Sequence, residues 1–181
     1  MRIISGKNKG RRITAPSNLP VRPTTDMAKE SLFNILGNHF DLDEISALDL
    51  FTGTGNIAYE LVSRGCRQVT AVDNDARCIK FVKQTISLLN YHQITAIQSD
   101  YASFLKRSGI KWDLIFADPP YQMEAVEEIP LAVWDLDLLN AGGWLVIEHD
   151  RHHDFPGHPG FFDHRKYGKV NFSFFRKGGA E

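Results

Sequence analysis

The feature that most constrains this chain is an alternation. Between Ala47 and Glu148, short apolar runs take turns with segments of helical period. The apolar runs are Ala47 to Phe51, Gln68 to Val72, Ile94 to Ile97, Trp112 to Ala117 and Gly143 to Glu148. Between them lie expected helices over Asn56 to Ser63, Ala76 to Leu89, Ala102 to Lys106 and Glu124 to Ala132. In Ala76 to Leu89 the residues Ile79, Val82, Ile86 and Leu89 recur on one face. Strands separated by helices need right-handed crossovers, which predicts an α/β, mostly parallel, doubly wound sheet. The end breaks the rhythm. Gly160 to Tyr167 and Lys169 to Phe175 flank Gly168, the pattern of a closing antiparallel hairpin. That combination is the plan of class I, Rossmann-like methyltransferases, whereas a dinucleotide-binding fold would continue with parallel units.

Before the alternation begins the chain is basic. No acidic residue precedes Asp26, while Arg2, Lys7, Lys9, Arg11, Arg12 and Arg22 are all positive. Charge alone leaves two readings open, a solvated tail or a face that meets phosphates. Ile3, Ile4 and Ile13, interleaved with Gly6 and Gly10, predict a short hairpin. We therefore expect residues 1–24 to form a small basic N-terminal extension and residues 25–181 the main domain. A helix is expected from Thr25 or Asp26, with Ala28, Leu32, Ile35 and Leu36 on one face and Gly37 as its stop. With 181 residues, 43% hydrophobic and 24% charged, the chain fits a globular domain. Nothing in it reads as a signal peptide or a membrane span. Its cysteines, Cys66 and Cys78, suggest a reducing cytoplasm rather than a disulfide framework.

The chemistry sits where strands end. Asp49-Leu50-Phe51-Thr52-Gly53-Thr54-Gly55 carries a strand into a glycine turn, where a ligand can approach the bare backbone. Asp49 would repel a pyrophosphate and suits an ammonium group, which favours the methionine end of S-adenosylmethionine. The same glycines also fit the loose dinucleotide fingerprint or a simple tight turn. Asp73 closes the second strand about 20 residues later, where a carboxylate meets ribose hydroxyls. Asp100, after the third strand, could accept from an adenine amine or cap the next helix, with Tyr101 beside it. These carboxylates converge on the edge where open α/β sheets bind ligands.

The most specific motif is Asp118-Pro119-Pro120-Tyr121, directly after the fourth strand. An exocyclic base amine is a poor nucleophile because its lone pair is delocalised into the ring. A carboxylate and a proline-stiffened carbonyl can accept its two N–H groups and orient that lone pair, while Tyr121 stacks on a flipped base. Positioning then supplies most of the rate. His149, His152, His153, His158 and His164 lack the spacing of a metal site, so no metal is expected and an exposed loop or RNA backbone contact is the reading.

Together these residues resemble the RsmD-type 16S ribosomal RNA guanine-N2 methyltransferases. The resemblance runs through Arg2 to Arg11, Arg22-Pro23-Thr24-Thr25-Asp26, Glu30 to Leu36, Asp49 to Gly55, Ser63-Arg64-Gly65, Asp118 to Tyr121 and Glu148-His149. It implies S-adenosylmethionine as cofactor, guanine N2 as acceptor and the assembling 30S subunit as partner. It also places Arg22, Thr24 and Thr25 near the cofactor or the RNA entrance. Cofactor contacts are thus assigned to Asp49, Phe51, Gly53, Gly55, Asp73, Asp100, Tyr101 and Thr25, and catalysis to Asp118, Pro119, Pro120 and Tyr121. RNA contacts go to Arg2, Lys7, Lys9, Arg11, Arg12 and Arg22, and a monomer is expected. Two departures stand out: Asn56-Ile57-Ala58 where relatives often carry a small residue and a glycine, and a short stretch around 150–165. Rival readings are an adenine-N6 methyltransferase, a nicotinamide-dependent oxidoreductase, and a non-catalytic RNA-binding assembly factor with this fold.

Overall fold

The computed structural model describes residues 1–21 and 24–179. Seven strands form one sheet: β1 (Ser46–Leu50), β2 (Gln68–Asp73), β3 (Ile94–Gln98), β4 (Trp112–Ala117), β5 (Leu139–His149), β6 (Phe161–Tyr167) and β7 (Val170–Arg176). Their order is β3-β2-β1-β4-β5-β7-β6. The first five run parallel, and β7 inserts antiparallel between β5 and β6. The helices are α1 (Asp26–Gly37), α2 (Asn56–Ser63), α3 (Ala76–Leu89), α4 (Tyr101–Ser108) and α5 (Glu128–Asp135).

Strand residues alternate between two cores, as the pleat requires. Ala47, Val69, Leu114, Phe116, Val146 and Phe174 face α1, α2 and α3. Leu48, Leu50, Val72, Ile115, Ile147 and Phe175 face α4 and α5. Burial on both faces is why β1 and β4 read as continuous apolar runs rather than alternating ones. Parallel strands also bring their C-terminal ends to one edge, so the residues that close β1, β2, β4 and β5 become neighbours.

Several boundaries differ from expectation, three of them by a change of structure rather than a residue or two. The fifth helix begins at Glu128, not Glu124, and residues 124–127 form turns. Pro130 then sits in the helix's first turn, where a missing N–H costs nothing. β5 extends back to Leu139, with a register irregularity between Trp112 and Leu114 on its partner strand. Phe51 is not in β1 but turns out of it with φ 59°.

The basic extension is a hairpin. Ile3 N–H donates to Arg11 O (3.0 Å), Gly10 N–H to Ile3 O (2.8 Å) and Ile13 N–H to Met1 O (3.0 Å). It is seated on α2. The Glu60 carboxylate accepts from Ile4 N (2.8 Å) and Ser5 N (3.0 Å). Ser63 donates to Ser5 O (2.6 Å), and its carbonyl accepts from Lys7 N (2.7 Å). Gly6 makes this seat possible: its φ is +81°, and a Cβ there would lie 1.8 Å from Ser63 O. Ile3 and Ile13 then join the α1–α3 core.

Candidate active site

The loop after β1 is shaped before any ligand arrives. Gly53 (φ 54°) and Gly55 (φ 82°) adopt conformations that side chains disfavour, and a Cβ on Gly55 would meet the Tyr59 ring at 2.4 Å. Carboxylates hold the loop from both sides. Asp49 Oδ2 accepts from the Thr52 hydroxyl (2.6 Å) and from Ala58 N–H (3.2 Å) in the first turn of α2. Asp73 Oδ2 accepts from Gly53 N–H (2.8 Å) and its Oδ1 from Asp75 N–H (2.9 Å). Burial is the main cause that lifts the Asp49 carboxyl to about 7.

Beside this loop lies a small cavity of about 50 Å³, lined by Phe51, Val72, Asp73, Asn74, Asp100 and Tyr101. The Phe51 and Tyr101 rings stand 5.2 Å apart across it. Two aromatic faces, a strand-end carboxylate and bare glycine backbone form a cradle of the chemistry that a nucleoside-bearing cofactor needs. The donor set therefore fits S-adenosylmethionine. Asp75 caps α3, accepting from Arg77 N–H (2.7 Å), which leaves Asp73 out of that role. Asp100 is the opposite case. Its carboxylate caps α4 through Ser103 N–H (2.9 Å), so the capping alternative describes its bond in this structure. Thr25, assigned to the cofactor from sequence, is exposed and caps α1 through Ala28 N–H (3.3 Å).

The acidic tip follows β4. Asp118 N–H lies 3.4 Å from Leu50 O, which ties the tip to the end of β1. Pro119 is buried, and Pro120 O accepts from Met123 N–H (2.8 Å), closing a turn that carries Tyr121 outward, 64% exposed. Burial, with the nearby charges of Glu148 and Asp49, holds the Asp118 carboxyl well above the usual range.

Residues 1–176 match the family described as Conserved hypothetical protein 95. The chain is 36% identical over 162 residues to YlbH of Bacillus subtilis, covering 86% of each chain. It is 30% identical over 148 residues to ribosomal RNA small subunit methyltransferase D of Escherichia coli K12, covering 82% of this chain and 71% of that one. This chain belongs to the RsmD-type methyltransferase family. The solved structure of yhhF from Escherichia coli superposes on this RsmD-type chain with a TM-score of 0.85 at 25% identity, covering 99% of both. A Thermus thermophilus 16S rRNA N2 G1207 methyltransferase, RsmC, solved with AdoMet and guanosine, shares the fold. Its TM-score is 0.71 at 18% identity, over 88% of this chain and 45% of that one.

Two buried residues of this RsmD-type chain escaped the sequence reading of its site. Glu148, 4% exposed, is the next-to-last residue of β5, on the same sheet face as Asp49 and Asp118, and its Oε2 accepts from the Thr24 hydroxyl (2.7 Å). Burial raises its carboxyl to about 7. The signal was available, because Glu148 closes an apolar strand just as Asp49, Asp73 and Asp118 do. Lys29 is the second. Its side chain is 1% exposed against 0% for Glu60, and its Nζ lies 3.3 Å from Glu60 Oε2. It also donates to Arg2 O (2.6 Å) and Asn56 Oδ1 (2.8 Å). The Asn56 amide donates in turn to Thr24 O (3.2 Å). One chain of bonds thus runs from the hairpin seat to Glu148.

The basic residues divide. Arg2 pairs with Asp26 (3.2 Å), and Lys7 lies 4.9 Å over the Tyr91 ring. Lys9, Arg11 and Arg12 are exposed, and Arg22 lies outside the described residues. Arg2 and Arg12 border a groove of about 660 Å³ that reaches Thr54 of the glycine loop. The histidines do not form one exposed loop. His149 is buried, Nδ1 2.6 Å from Asp150 O and Nε2 2.8 Å from Ser173 Oγ, and burial lowers its pKa. His153 binds Glu127 (2.8 Å). Apolar β5 carries His149 inward because it sits at a strand position facing Phe155. No cluster of three metal-ligating side chains occurs among the described residues. No described helix is long and apolar enough to cross a membrane.

Proposed function

We propose that this protein transfers a methyl group from S-adenosylmethionine to the exocyclic N2 amine of a guanine in 16S ribosomal RNA, on the assembling 30S subunit in the cytoplasm. The observation that carries this reading is the Asp118-Pro119-Pro120-Tyr121 tip, fixed beside the glycine loop with a carboxylate that no described residue hydrogen-bonds. The name borne by the Escherichia coli relative supports the ribosomal substrate.

When bound, the cofactor supplies an already activated methyl group, so the protein's task is placement. Gly53, Gly55, Asp73 and the Phe51–Tyr101 ring pair would hold it, with Asp49 keeping the loop in shape. Asp118 and the Pro119 carbonyl accept the amine's N–H groups and turn its lone pair outward. Tyr121 offers its exposed face to the flipped base. The amine's surplus proton leaves to water or to Asp118. Lys9, Arg11 and Arg12, with the groove beside them, would meet the RNA backbone.

The test is Asp118→Ala, assayed by tritiated methyl transfer to undermethylated 30S particles and by cofactor calorimetry. Transfer should be abolished with cofactor affinity held within about threefold. Surviving transfer would refute the role given to the tip.

A further inference from the structure

We infer that Glu148 is the residue that reads the base, accepting the N1–H of guanine while Asp118 accepts from the neighbouring N2 amine. This rests on the guanine-N2 reading above and assigns a role to a residue that reading does not use. The geometry begins with register. Ala117 of β4 pairs with Ile147 of β5, so the next residues, Asp118 and Glu148, stand side by side at the strand ends. Adjacent strands lie about 4.8 Å apart, close enough for two side chains on one face to reach a single base edge. Both side chains share the sheet face that carries Asp49.

The bonding is asymmetric in an informative way. Glu148 is 4% exposed, yet only Oε2 has a partner, the Thr24 hydroxyl at 2.7 Å. Oε1 accepts no hydrogen bond from any described residue, and it is not among the buried atoms cut off from solvent. Asp118 likewise accepts none from any described residue. Among the described residues, the charges that bear on Asp118 are carboxylates, Glu148 and Asp49. An acceptor that ligand or solvent can reach but that no described donor holds is open to a donor brought by a ligand. Here two carboxylates adjoin, and among the described residues neither accepts a hydrogen bond from a lysine, arginine or histidine.

Base chemistry then selects the ligand. Adenine and cytosine each place a ring-nitrogen lone pair beside their exocyclic amine. Guanine places a second donor, N1–H, beside its own. A pair of carboxylates, each with an oxygen that no described donor holds, accommodates the guanine edge and repels the lone pair of the other two. Glu148 is also held in place. Its partner Thr24 is fixed through Asn56, which Lys29 holds, so the side chain cannot swing away cheaply.

The test uses the full-length protein and 30S particles reconstituted with 16S RNA whose mapped target is either guanine or 2-aminopurine. The analogue keeps the amine but presents a bare N1. Wild type should prefer guanine by about a hundredfold in kcat/KM, the scale of a lost base-edge pairing. Glu148→Gln, whose amide can donate to a bare N1, should compress that preference below about tenfold. Its cofactor affinity by calorimetry and its melting temperature should stay close to wild type. Equal losses on both substrates, or an unchanged preference, would overturn the role of Glu148. So would a wild-type enzyme that methylates both within threefold, a result that needs no variant to fold. Absence of N2-methylguanine from the wild-type product would instead overturn the guanine reading itself, and this inference with it.

Discussion

Lys29→Met isolates the buried charge that joins the hairpin, α1 and α2. Methionine keeps the stem's length and apolar contacts, so the change removes only the ammonium group. That group holds Glu60 Oε2 at 3.3 Å, Arg2 O at 2.6 Å and Asn56 Oδ1 at 2.8 Å, with both charges essentially sealed from water. Breaking one side of a buried ion pair costs about 3–5 kcal/mol. Arg64 Nε, 2.8 Å from Glu60 Oε1, and the Ile4 and Ser5 amides still attend the remaining charge, which points to the lower end. We expect a loss of about 3 kcal/mol in urea unfolding, equal to a drop of about 6–12 °C in melting temperature at this chain length. In the Glu60→Gln background the same change should cost at least about 1.5 kcal/mol less, because the partner charge is gone. Hydrogen exchange should localise the damage, with the amides of Ile3, Gly10 and Ile13 losing protection. A loss below about 1 kcal/mol, or unchanged exchange in the hairpin, would refute the reasoning.

Gly6→Ala should cost about 2–4 kcal/mol and undock the hairpin, since its Cβ would strike Ser63 O. Gly10→Ala has the same positive φ but open space, so about 1 kcal/mol is expected, and equal losses for the two would sink the seating argument. Asp49 and Glu148 both titrate near 7 in the folded chain, above their unfolded values. Between the two values the folded state therefore binds more protons than the unfolded one. Stability without cofactor should fall as pH rises from about 4.5 to 7, as read from urea midpoints; a rise over that window would contradict it. Activity should move oppositely, climbing toward neutrality as Glu148 loses its proton and becomes an acceptor. Thr24→Val removes the bond that favours the Glu148 anion, so the pH–rate inflection should shift to higher pH; no shift would detach Thr24 from the site.

The parallel sheet was legible because its strands are buried on both faces and its helices carry a clear period. The glycine loop and the Asp118 tip were legible because backbone chemistry dictates them locally. What stayed hidden depends on long-range pairing. Thr24 and Thr25 are adjacent and alike in sequence, yet one binds Glu148 across 124 positions and the other merely caps its own helix. Lys29 sits on the buried side of α1 next to Ala28, but nothing nearby in sequence announces Glu60 as its partner. Asp100 could serve as cap or ligand contact, and only the position of Ser103 N–H decided its present bond. His149 read as part of a surface cluster because the inward turn of β5 depends on its pairing with β7.

The seat beneath Gly6 has a practical corollary for anyone building chimeras. A basic arm transplanted alone onto another methyltransferase would arrive without its socket, because the recipient must also provide a glutamate and a serine at the places of Glu60 and Ser63. Moving the arm between relatives therefore means moving it together with the face of the second helix that carries Glu60 and Ser63, as a matched plug and receptacle.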